Sequence, residues 1–268
     1  MKFVASLVVG LCLICCTFAW TITMDNHSQF LYWLHAVVAL LLLYFLVRTF
    51  KGLHMERNTH NMFEDFLEKF KTIMRTGNDT IGIPILDPFT ADEIPIVVDN
   101  EMMILDALLT IVKVDGLSAY NVNKGDFKLI GLKLIMNLSW PLITASTNYN
   151  MMGKVDNFEI YGNGEMKISP QDFCFETEID FTMKGKYLKV KAMKLKIFLK
   201  AFEFHATGLY NDNHLSELLS AVISDMMPQL IMDYHDMITD KASLLIMDKL
   251  NAFLSTMTLA ELMKLLGL

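Results

Sequence analysis

The sequence FCFETEIDF at residues 173–181 alternates apolar and polar side chains almost without interruption. Successive side chains of an extended chain point to opposite faces, so the apolar members share one face. These are Phe173, Phe175, Ile179 and Phe181, opposite Cys174, Glu176, Glu178 and Asp180. The pattern predicts a half-buried β-strand of the kind that antiparallel sheets contain.

The segments around this strand have the same character. Residues 127–139 predict a strand whose apolar side carries Leu132, Leu134, Met136 and Leu138. Long apolar runs at residues 102–118 and 149–160 predict two more strands. Residues 187–200 alternate too, but the lysines change parity at Ala192-Met193, which indicates a β-bulge. We expect Phe198, Phe202 and Phe204 to continue the apolar side.

Turn signals separate these segments. Tyr161-Gly162-Asn163-Gly164 predicts a hairpin, because Asn-Gly supplies the positive φ angles of a tight turn. Lys184-Gly185-Lys186 predicts the turn that follows residues 173–181. Two prolines within residues 81–89 exclude a helix there and favour an extended arm.

Helical spacing occurs at both ends of this region. Apolar residues at helical intervals predict an amphipathic helix over residues 60–75, ended by Gly77. After Gly208 the period changes, and residues 215–238 predict a long helix with a broad apolar stripe. Pro228 should kink this helix or divide it into two segments. A further helix is expected at residues 245–254.

These elements predict one α+β domain in which a strongly curved antiparallel sheet wraps a long C-terminal helix. A filled core and a hollow core both fit the pattern; a hollow one would be a dry, apolar tunnel for a hydrophobic ligand. The candidate lining residues are Leu132, Leu134, Met136, Leu138, Trp140, Tyr149, Phe173, Phe175, Ile179, Phe181, Phe198, Phe202, Phe204, Leu219, Ile223, Met226, Met227 and Leu230. Trp140 and Tyr149 would either pack in the core or orient a polar ligand group.

Composition narrows the function classes. Hydrophobic residues make up 53% of the chain, and there are 20 methionines, which adapt to irregular space. Only two of the 30 acidic residues lie within residues 1–57, so the body is acidic. This argues against a nucleic-acid partner and against tight docking on anionic lipid. The lysine run of residues 184–200 is interpreted as a solvated face.

No constellation of catalytic or metal-binding residues is found. The histidines are scattered without paired spacing, and no nucleophile elbow or dinucleotide fingerprint occurs. Cys174 is the one cysteine after residue 16, which leaves no disulfide within the body. We therefore expect no enzyme activity, no metal and no cofactor.

The N-terminal region contains two apolar runs. Residues 1–19 resemble a signal peptide, and residues 20–57 include a second run at 30–47 that is long enough to border on a membrane span. Three alternatives remain: a cleaved signal followed by an anchor, an alternative signal starting at Met24, or two spans. Sequons at Asn26, Asn78 and Asn137 favour a luminal, glycosylated domain.

The motifs in their order resemble the insect takeout and haemolymph juvenile-hormone-binding family. They are Gly82-Ile83-Pro84-Ile85-Leu86-Asp87-Pro88-Phe89, Asp115-Gly116-Leu117-Ser118 before Val122, and Tyr149, Gly153-Lys154, Gly162 and Gly164. The likeness covers about residues 60–265 within the expected domain at 58–268. Group 7 mite allergens are the nearest alternative match.

This resemblance implies a tubular lipid-binding fold, secretion, and a ligand such as juvenile hormone or a fatty acid. Residues 50–100 lack the cysteine pair that many members carry, and the run at 30–47 is unlike a simple secreted member. We expect non-enzymatic binding and transport of a small hydrophobic ligand. The alternative is a membrane-tethered recognition or structural protein with a filled core.

Overall fold

Among the residues that the structure describes, eight antiparallel strands form one large curled sheet, and three helices pack against it. The structure is a computed structural model that describes residues 59–78, 83–99, 103–128, 131–155, 158–256 and 258. The helices are α1 (Thr59–Thr76), α2 (Asn213–Asp233) and α3 (His235–Ser255). The strands are β1 (Phe89–Asp99), β2 (Met103–Asp115), β3 (Asn121–Lys128), β4 (Lys133–Leu142), β5 (Thr144–Val155), β6 (Phe158–Lys184), β7 (Tyr187–Phe198) and β8 (Ala201–Ala206).

Strand β6 organises the sheet. The strand order is β1-β2-β5-β6-β4-β3, and both β7 and β8 also pair with β6. The first half of β6 lies between β5 and β8, and its second half lies between β4 and β7. Asp172, with φ of +48°, separates the halves. One continuous 27-residue strand therefore belongs to two regions of the molecule.

The predicted strand at residues 173–181 and the predicted helix at residues 60–75 are confirmed. Thr177, Ile179 and Phe181 are buried, and the acidic residues between them are more accessible. Helix α1 ends at Thr76, and Gly77 follows with φ of +69°. The turn predicted at residues 184–186 joins β6 to β7.

The hairpin predicted at Tyr161-Gly162-Asn163-Gly164 is wrong. These residues lie within β6, which is joined to β5 between residues 155 and 158. A Cβ atom on Gly164 would lie 2.2 Å from the carbonyl oxygen of Thr207, and one on Gly162 would lie 2.9 Å from that of Gly208. The glycines are therefore required for close backbone packing and not for a turn.

The β-bulge in β7 is present, with its extra residue at Lys191. Asp180 lies opposite Ala192 and Phe181 lies opposite Val190, so Lys191 has no partner in register. The bulge moves the inward parity from Leu188 and Val190 to Leu195. By that parity Phe198 points outward, and its side chain is 50% exposed. The expectation that Phe198 continues the apolar side is wrong.

Two smaller expectations also change. Leu132 lies in the turn before β4 with φ of +48° and is not part of the predicted strand. The long C-terminal helix is interrupted at Tyr234, whereas Pro228 lies inside α2. The cap of α2 is regular: the Asp212 carboxylate accepts a hydrogen bond from the Leu215 N–H at 3.0 Å.

The buried side chains form two hydrophobic cores. The first, which we call the α2 core, joins the inner faces of β1, β2, β5, β8 and the first half of β6 to α2. The second, the α3 core, joins β4, β7 and the second half of β6 to α1 and α3. The half-buried Leu117 packs against both.

Helix side chains cover the free edges of the sheet. Three serines at four-residue intervals on α2 accept hydrogen bonds from backbone N–H groups in and after β8. The pairs are Leu209 to Ser216 at 2.9 Å, Ala206 to Ser220 at 3.0 Å and Phe204 to Ser224 at 2.9 Å. Polar groups that a sheet edge would leave unpaired are thus satisfied by a helix.

The edges at β7 and β3 are covered by longer side chains. On α3, Asn251 accepts from the Val190 N–H at 2.8 Å and His235 accepts from the Ile197 N–H at 3.3 Å. On α1, Glu64 accepts from the Gly125 N–H at 3.2 Å. The helices are therefore parts of the wall that closes the curled sheet.

Candidate ligand-binding site

The two cores meet on the inner face of the sheet at a group of half-buried aromatic residues. Phe173 and Phe175 lie at the centre of β6, and Trp140 lies opposite Phe173 on β4. Along the same inward face Leu138 and Ile179 are almost completely buried. We call Leu117, Trp140, Phe173 and Phe175 the junction, because these half-buried side chains lie where the two cores meet.

Aromatic contacts fix the geometry of the junction. The rings of Trp140 and Phe173 have centroids 5.8 Å apart at 39°, and Tyr120 meets Trp140 edge-on at 5.5 Å and 62°. Offset and edge-on arrangements of this kind are favoured by the ring quadrupoles. The apolar surface is therefore formed by side chains whose orientations are fixed by their neighbours.

The polar groups of these aromatic residues are already bonded within the protein. Trp140 Nε1–H donates to the Leu117 carbonyl at 2.9 Å, and Tyr120 Oη–H donates to the Leu67 carbonyl at 2.6 Å. Tyr149 Oη–H donates to the Thr207 carbonyl at 2.7 Å. Burial raises the pKa of Tyr149 to about 12 and also raises the pKa of Tyr120, so both phenols remain neutral.

The interpretation of Trp140 and Tyr149 as packing residues agrees with these bonds. Trp140 has no second N–H group with which to orient a ligand, whereas the Tyr149 oxygen donates its proton to Thr207 and could still accept a hydrogen bond. The junction residues present apolar side chains, and their surface suits a ligand held by burial of hydrocarbon.

The structure distributes the predicted lining residues over both cores. The fully buried ones in the α2 core are Tyr149, Phe204, Leu219, Ile223 and Met227; Phe173, Phe202, Met226 and Leu230 pack against it and are partly buried. The fully buried ones in the α3 core are Leu134, Met136, Leu138, Ile179 and Phe181; Leu132, Trp140 and Phe175 are partly buried there. Phe198 belongs to neither core.

Sequence reasoning missed two parts of this arrangement. Leu117 and Tyr120 follow β2 in a loop, where no periodicity marks them as inward. The serines of α2 did carry a signal, because Ser216, Ser220 and Ser224 recur every four residues on an apolar helix face. Small polar residues at that spacing indicate a face that approaches another backbone closely.

Two of the sequence motifs contact each other beside the junction. The Asp87 carboxylate accepts hydrogen bonds from the Gly116 and Ser118 N–H groups, each at 2.8 Å, and from the Ser118 hydroxyl. Arg75 Nε–H donates to the same hydroxyl at 2.9 Å. The network ties α1 and the arm before β1 to the loop that carries Leu117.

The network also sets the protonation of Asp87. Burial alone would raise the pKa of Asp87, but hydrogen bonds from Ser118 and Gly116 and the Arg75 charge hold that pKa below its ordinary value. Asp87 is therefore ionised under all but strongly acidic conditions, and the loop remains attached.

Cys174, the free cysteine of the described residues, lies in β6 between Phe173 and Phe175. Burial and the Glu176 charge raise the pKa of the Cys174 thiol, which keeps it protonated. Within the described ranges, no three His, Cys, Asp or Glu side chains lie together so as to hold a metal ion. Of the helices that the structure describes, none has the length and apolar composition to cross a bilayer.

The N-terminal predictions fall mostly outside the described residues. These include the signal at 1–19, the run at 30–47 and the sequon at Asn26. Asn137 lies half-buried in β4, and its Oδ1 accepts from Asn123 at 2.9 Å and from the Cys174 thiol at 3.4 Å. Asn78 forms a backbone bridge with Ile83. Glycosylation of Asn78 and Asn137 stays a prediction.

Fold and junction together define a class: a single-domain α+β protein in which a curled antiparallel sheet and C-terminal helices enclose apolar side chains. The chain belongs to the haemolymph juvenile hormone binding protein (JHBP) family, which matches residues 37–264. The family consists of binding proteins. The resemblance to this family, expected from the motifs, is confirmed.

One solved structure shows the same fold. Takeout 1 of Epiphyas postvittana is similar with a TM-score of 0.51 at 18% sequence identity, over 73% of this chain and 91% of that protein. A weaker likeness, with a TM-score of 0.31 and 11% identity, covers 76% of this chain and 39% of a lipopolysaccharide binding protein. No curated protein matches this chain in sequence.

Proposed function

We propose that this protein binds and carries one small hydrophobic ligand in an apolar tunnel that passes through the junction. The supporting observation is that Trp140, Phe173 and Phe175 are half-buried on the inner face, at the place where the two hydrophobic cores meet. Membership of the JHBP family supports the same function. A long-chain fatty acid, juvenile hormone or a similar lipid has the chemistry that such a surface accepts.

Hydrophobic transfer drives binding in this proposal. Removal of apolar surface from water contributes roughly 25 cal/mol per Å², on the ligand as well as on the protein. The bonded phenol and indole groups leave few polar partners at the junction, so we expect selectivity by length and shape of the hydrocarbon. No step of chemical catalysis is involved.

Secretion is part of the proposal. The family description names haemolymph, and the sequence begins with an apolar run at residues 1–19 that resembles a signal peptide. We propose that the domain acts outside the cytoplasm, either released or tethered through residues 30–47.

A matched pair of substitutions tests whether the junction is hollow. Phe175 and Phe181 share one strand and one face, but Phe175 is half-buried and Phe181 is only 4% exposed. Phe175→Trp should extend into vacant space, leave the thermal midpoint almost unchanged and reduce bound lipid. Phe181→Trp should overpack the α3 core and cost about 1–3 kcal/mol.

The measurement is native mass spectrometry, with lipid extraction, of the full chain secreted from insect cells. We expect the unsubstituted protein to retain one lipid per chain and Phe175→Trp to retain less. A filled core predicts instead that no lipid is retained and that both tryptophan variants are destabilised alike. That outcome would favour the structural or recognition alternative.

A further inference from the structure

The lysines of this acidic chain are concentrated in one place. Residues 181–202 contain seven lysines and no acidic residue, although the chain has a net charge of −7. They lie along β7 and on the turn between β6 and β7. Attraction to a charged surface depends on charges within about one Debye length, roughly 8 Å at physiological salt, so local charge decides and not the net charge.

Among the described residues, the ion pairs of these lysines lie far from that turn, near the end of β7 and just after it. Lys196 lies 3.6 Å from Glu176, and Lys200 lies 2.9 Å from Asp172. The other five lysines are exposed and take part in none of the ion pairs of the described residues. Lys194 lies opposite Glu178, and the remaining four are Lys184, Lys186, Lys189 and Lys191. Positive charge is therefore left unbalanced at one end of the sheet.

Apolar side chains accompany these lysines. Met183 and Tyr187 flank the turn and are 43% and 41% exposed, and Tyr187 lies in register with Lys184. We call residues 183–191 the basic turn. Met183 lies opposite the buried Leu188, and Tyr187 lies opposite Lys184 on the other face, so each face of the hairpin end carries one exposed apolar side chain beside the lysines. Apolar and cationic side chains together at an exposed hairpin end fit the headgroup region of a bilayer.

The neighbouring β3–β4 turn lies beside the basic turn but is balanced in charge. The Phe181 N–H donates to the Leu132 carbonyl at 2.8 Å, which fixes that turn. The exposed Lys128 lies in register with Lys133, and Lys133 is paired with Glu178 and lies opposite Asp180. The unbalanced positive charge is therefore confined to the basic turn.

Both ends of the described chain approach this end of the sheet. Glu64 of α1 contacts Gly125 and Arg75 contacts Ser118, so α1 runs antiparallel to β3 and begins near Lys128. The chain that precedes Thr59 joins the domain here, and its sequence contains the apolar run 30–47. On α3, Asn251 contacts Val190, so its C-terminal turn also lies at this end.

We propose that the basic turn docks the protein on an anionic phospholipid membrane, with Met183 and Tyr187 among the headgroups and the lysines beside the lipid phosphates. The site is separate from the junction, and docking does not require a bound ligand. Docking would direct the end of the α3 core, beneath Leu188 and Val190, toward the bilayer.

The first test is partitioning of the full chain onto vesicles of phosphatidylcholine with or without phosphatidylserine, because residues 30–47 would bind both alike. The quantity compared between variants is the gain, which is the factor by which phosphatidylserine raises the partition coefficient. In the triple variant Lys184→Gln, Lys186→Gln, Lys189→Gln this gain should be about 100-fold smaller at low salt, since each lysine near an anionic surface contributes roughly fivefold.

A control with equal net charge removes three exposed lysines elsewhere: Lys154→Gln, Lys167→Gln, Lys241→Gln. It should keep most of the gain. Equal losses in both triple variants, or no gain from phosphatidylserine in the unsubstituted chain, would overturn the proposal. So would a greater effect of the first variant on heparin binding than on vesicle binding, because the partner would then be a soluble polyanion.

Hydrogen exchange locates the contact. Amides of residues 183–189 should exchange more slowly with phosphatidylserine vesicles than with phosphatidylcholine vesicles, and protection elsewhere without protection there would contradict docking by this turn. The first triple variant should still retain extracted lipid. Retained lipid without docking contradicts only this proposal, and docking without retained lipid contradicts only the proposed ligand binding.

Discussion

In both the α2 core and the α3 core, helix side chains accept hydrogen bonds from the N–H groups of a sheet edge, but the side chains differ in length. In the α2 core the serine hydroxyls of Ser216, Ser220 and Ser224 reach the β8 region directly. In the α3 core the contacts come from longer side chains, Asn251 and His235 on α3 and Glu64 on α1. A serine oxygen lies one bond beyond Cβ, so α2 must lie closer to its strand.

The difference indicates which half of the molecule can adjust. A short side chain keeps its hydrogen bond only at one helix–strand spacing, whereas a longer side chain can change rotamer and follow a small movement. Glycines also allow close packing in the α2 core, because Gly162 and Gly164 pack directly against the backbone of residues 207–209. We expect the α2 core to be rigid and the α3 core, next to the junction, to accommodate a ligand.

The largest expected effect on stability comes from a substitution in the α2 core, which we expect to be the more rigid of the two. Gly208 has φ of +72°, and a Cβ there would lie 2.0 Å from the Asn163 carbonyl oxygen. Gly208→Ala should lower the free energy of unfolding by about 3–4 kcal/mol, through clash and left-handed strain together. Denaturant unfolding followed by far-ultraviolet circular dichroism measures it.

Gly185→Ala is the matched control. Gly185 has a similar φ of +64°, but no atom lies within 4 Å of the position of an added Cβ. We expect Gly185→Ala to lower the free energy of unfolding by about 1 kcal/mol, which is the cost of the left-handed conformation alone. Equal costs at the two glycines would show that the α2 core is not tightly packed at residues 162–164 and 208.

The strongest polar contact beside the α3 core is at Asp87. Asp87→Asn replaces one acceptor oxygen by an N–H donor that faces the Ser118 and Gly116 N–H groups, and should cost about 2–3 kcal/mol. The folded-state pKa of Asp87 is depressed, so its contribution is present above the unfolded value of 3.8 and is lost as pH falls through the folded value. Urea unfolding between pH 7 and pH 3 checks both effects.

The substituted protein serves as the control for pH. In Asp87→Asn the part of the acid destabilisation that belongs to this carboxylate should disappear, which makes the stability curve flatter below about pH 4. A curve parallel to that of the unsubstituted chain would mean that the contact of Asp87 with residues 116–118 does not stabilise the fold.

The next largest effect on stability is expected at the serine contacts between α2 and β8. Ser220 is 4% exposed, and Ser220→Ala leaves the buried Ala206 N–H without its acceptor, at a cost of about 2 kcal/mol. Ser255→Ala, at the exposed end of α3, should change stability by less than about 0.5 kcal/mol. Thermal unfolding of both variants is sufficient, and similar midpoints would contradict a tight α2–β8 contact.

The sequence predicts those parts of the fold that depend on local pattern. Residues 173–181 and the helix at 60–75 could be identified because their periodicity is set within a few residues. Gly162 and Gly164 were misinterpreted because the reason for glycine lies in residues 207 and 208, far along the chain. An Asn-Gly pair carries the same sequence signal in either case.

The sequence predicts which strand and helix faces are apolar, but it does not predict where on those faces the half-buried junction lies. Phe198 was misassigned because a bulge at Lys191 changes the side to which later residues point. Phe175 and Phe181 look alike in sequence and both belong to the second half of β6, but Phe181 lies within the α3 core and Phe175 lies near the boundary with the α2 core. Leu117 joins the junction through a loop contact that alternation does not record.

The smallest expected effect on stability is at the contact between α3 and β7, which we expect to adjust to a ligand. Asn251→Ala removes the acceptor of the Val190 N–H, but we expect a cost of only about 1 kcal/mol, because this N–H lies in a partly buried contact that a small shift of α3 can open to water. Lys249→Ala, at an exposed position of the same helix, should have almost no effect. Hydrogen exchange at Val190 measures the local opening. If Asn251→Ala costs as much as Ser220→Ala, the two edges are equally tight, and the ligand must be accommodated at the junction without movement of α3.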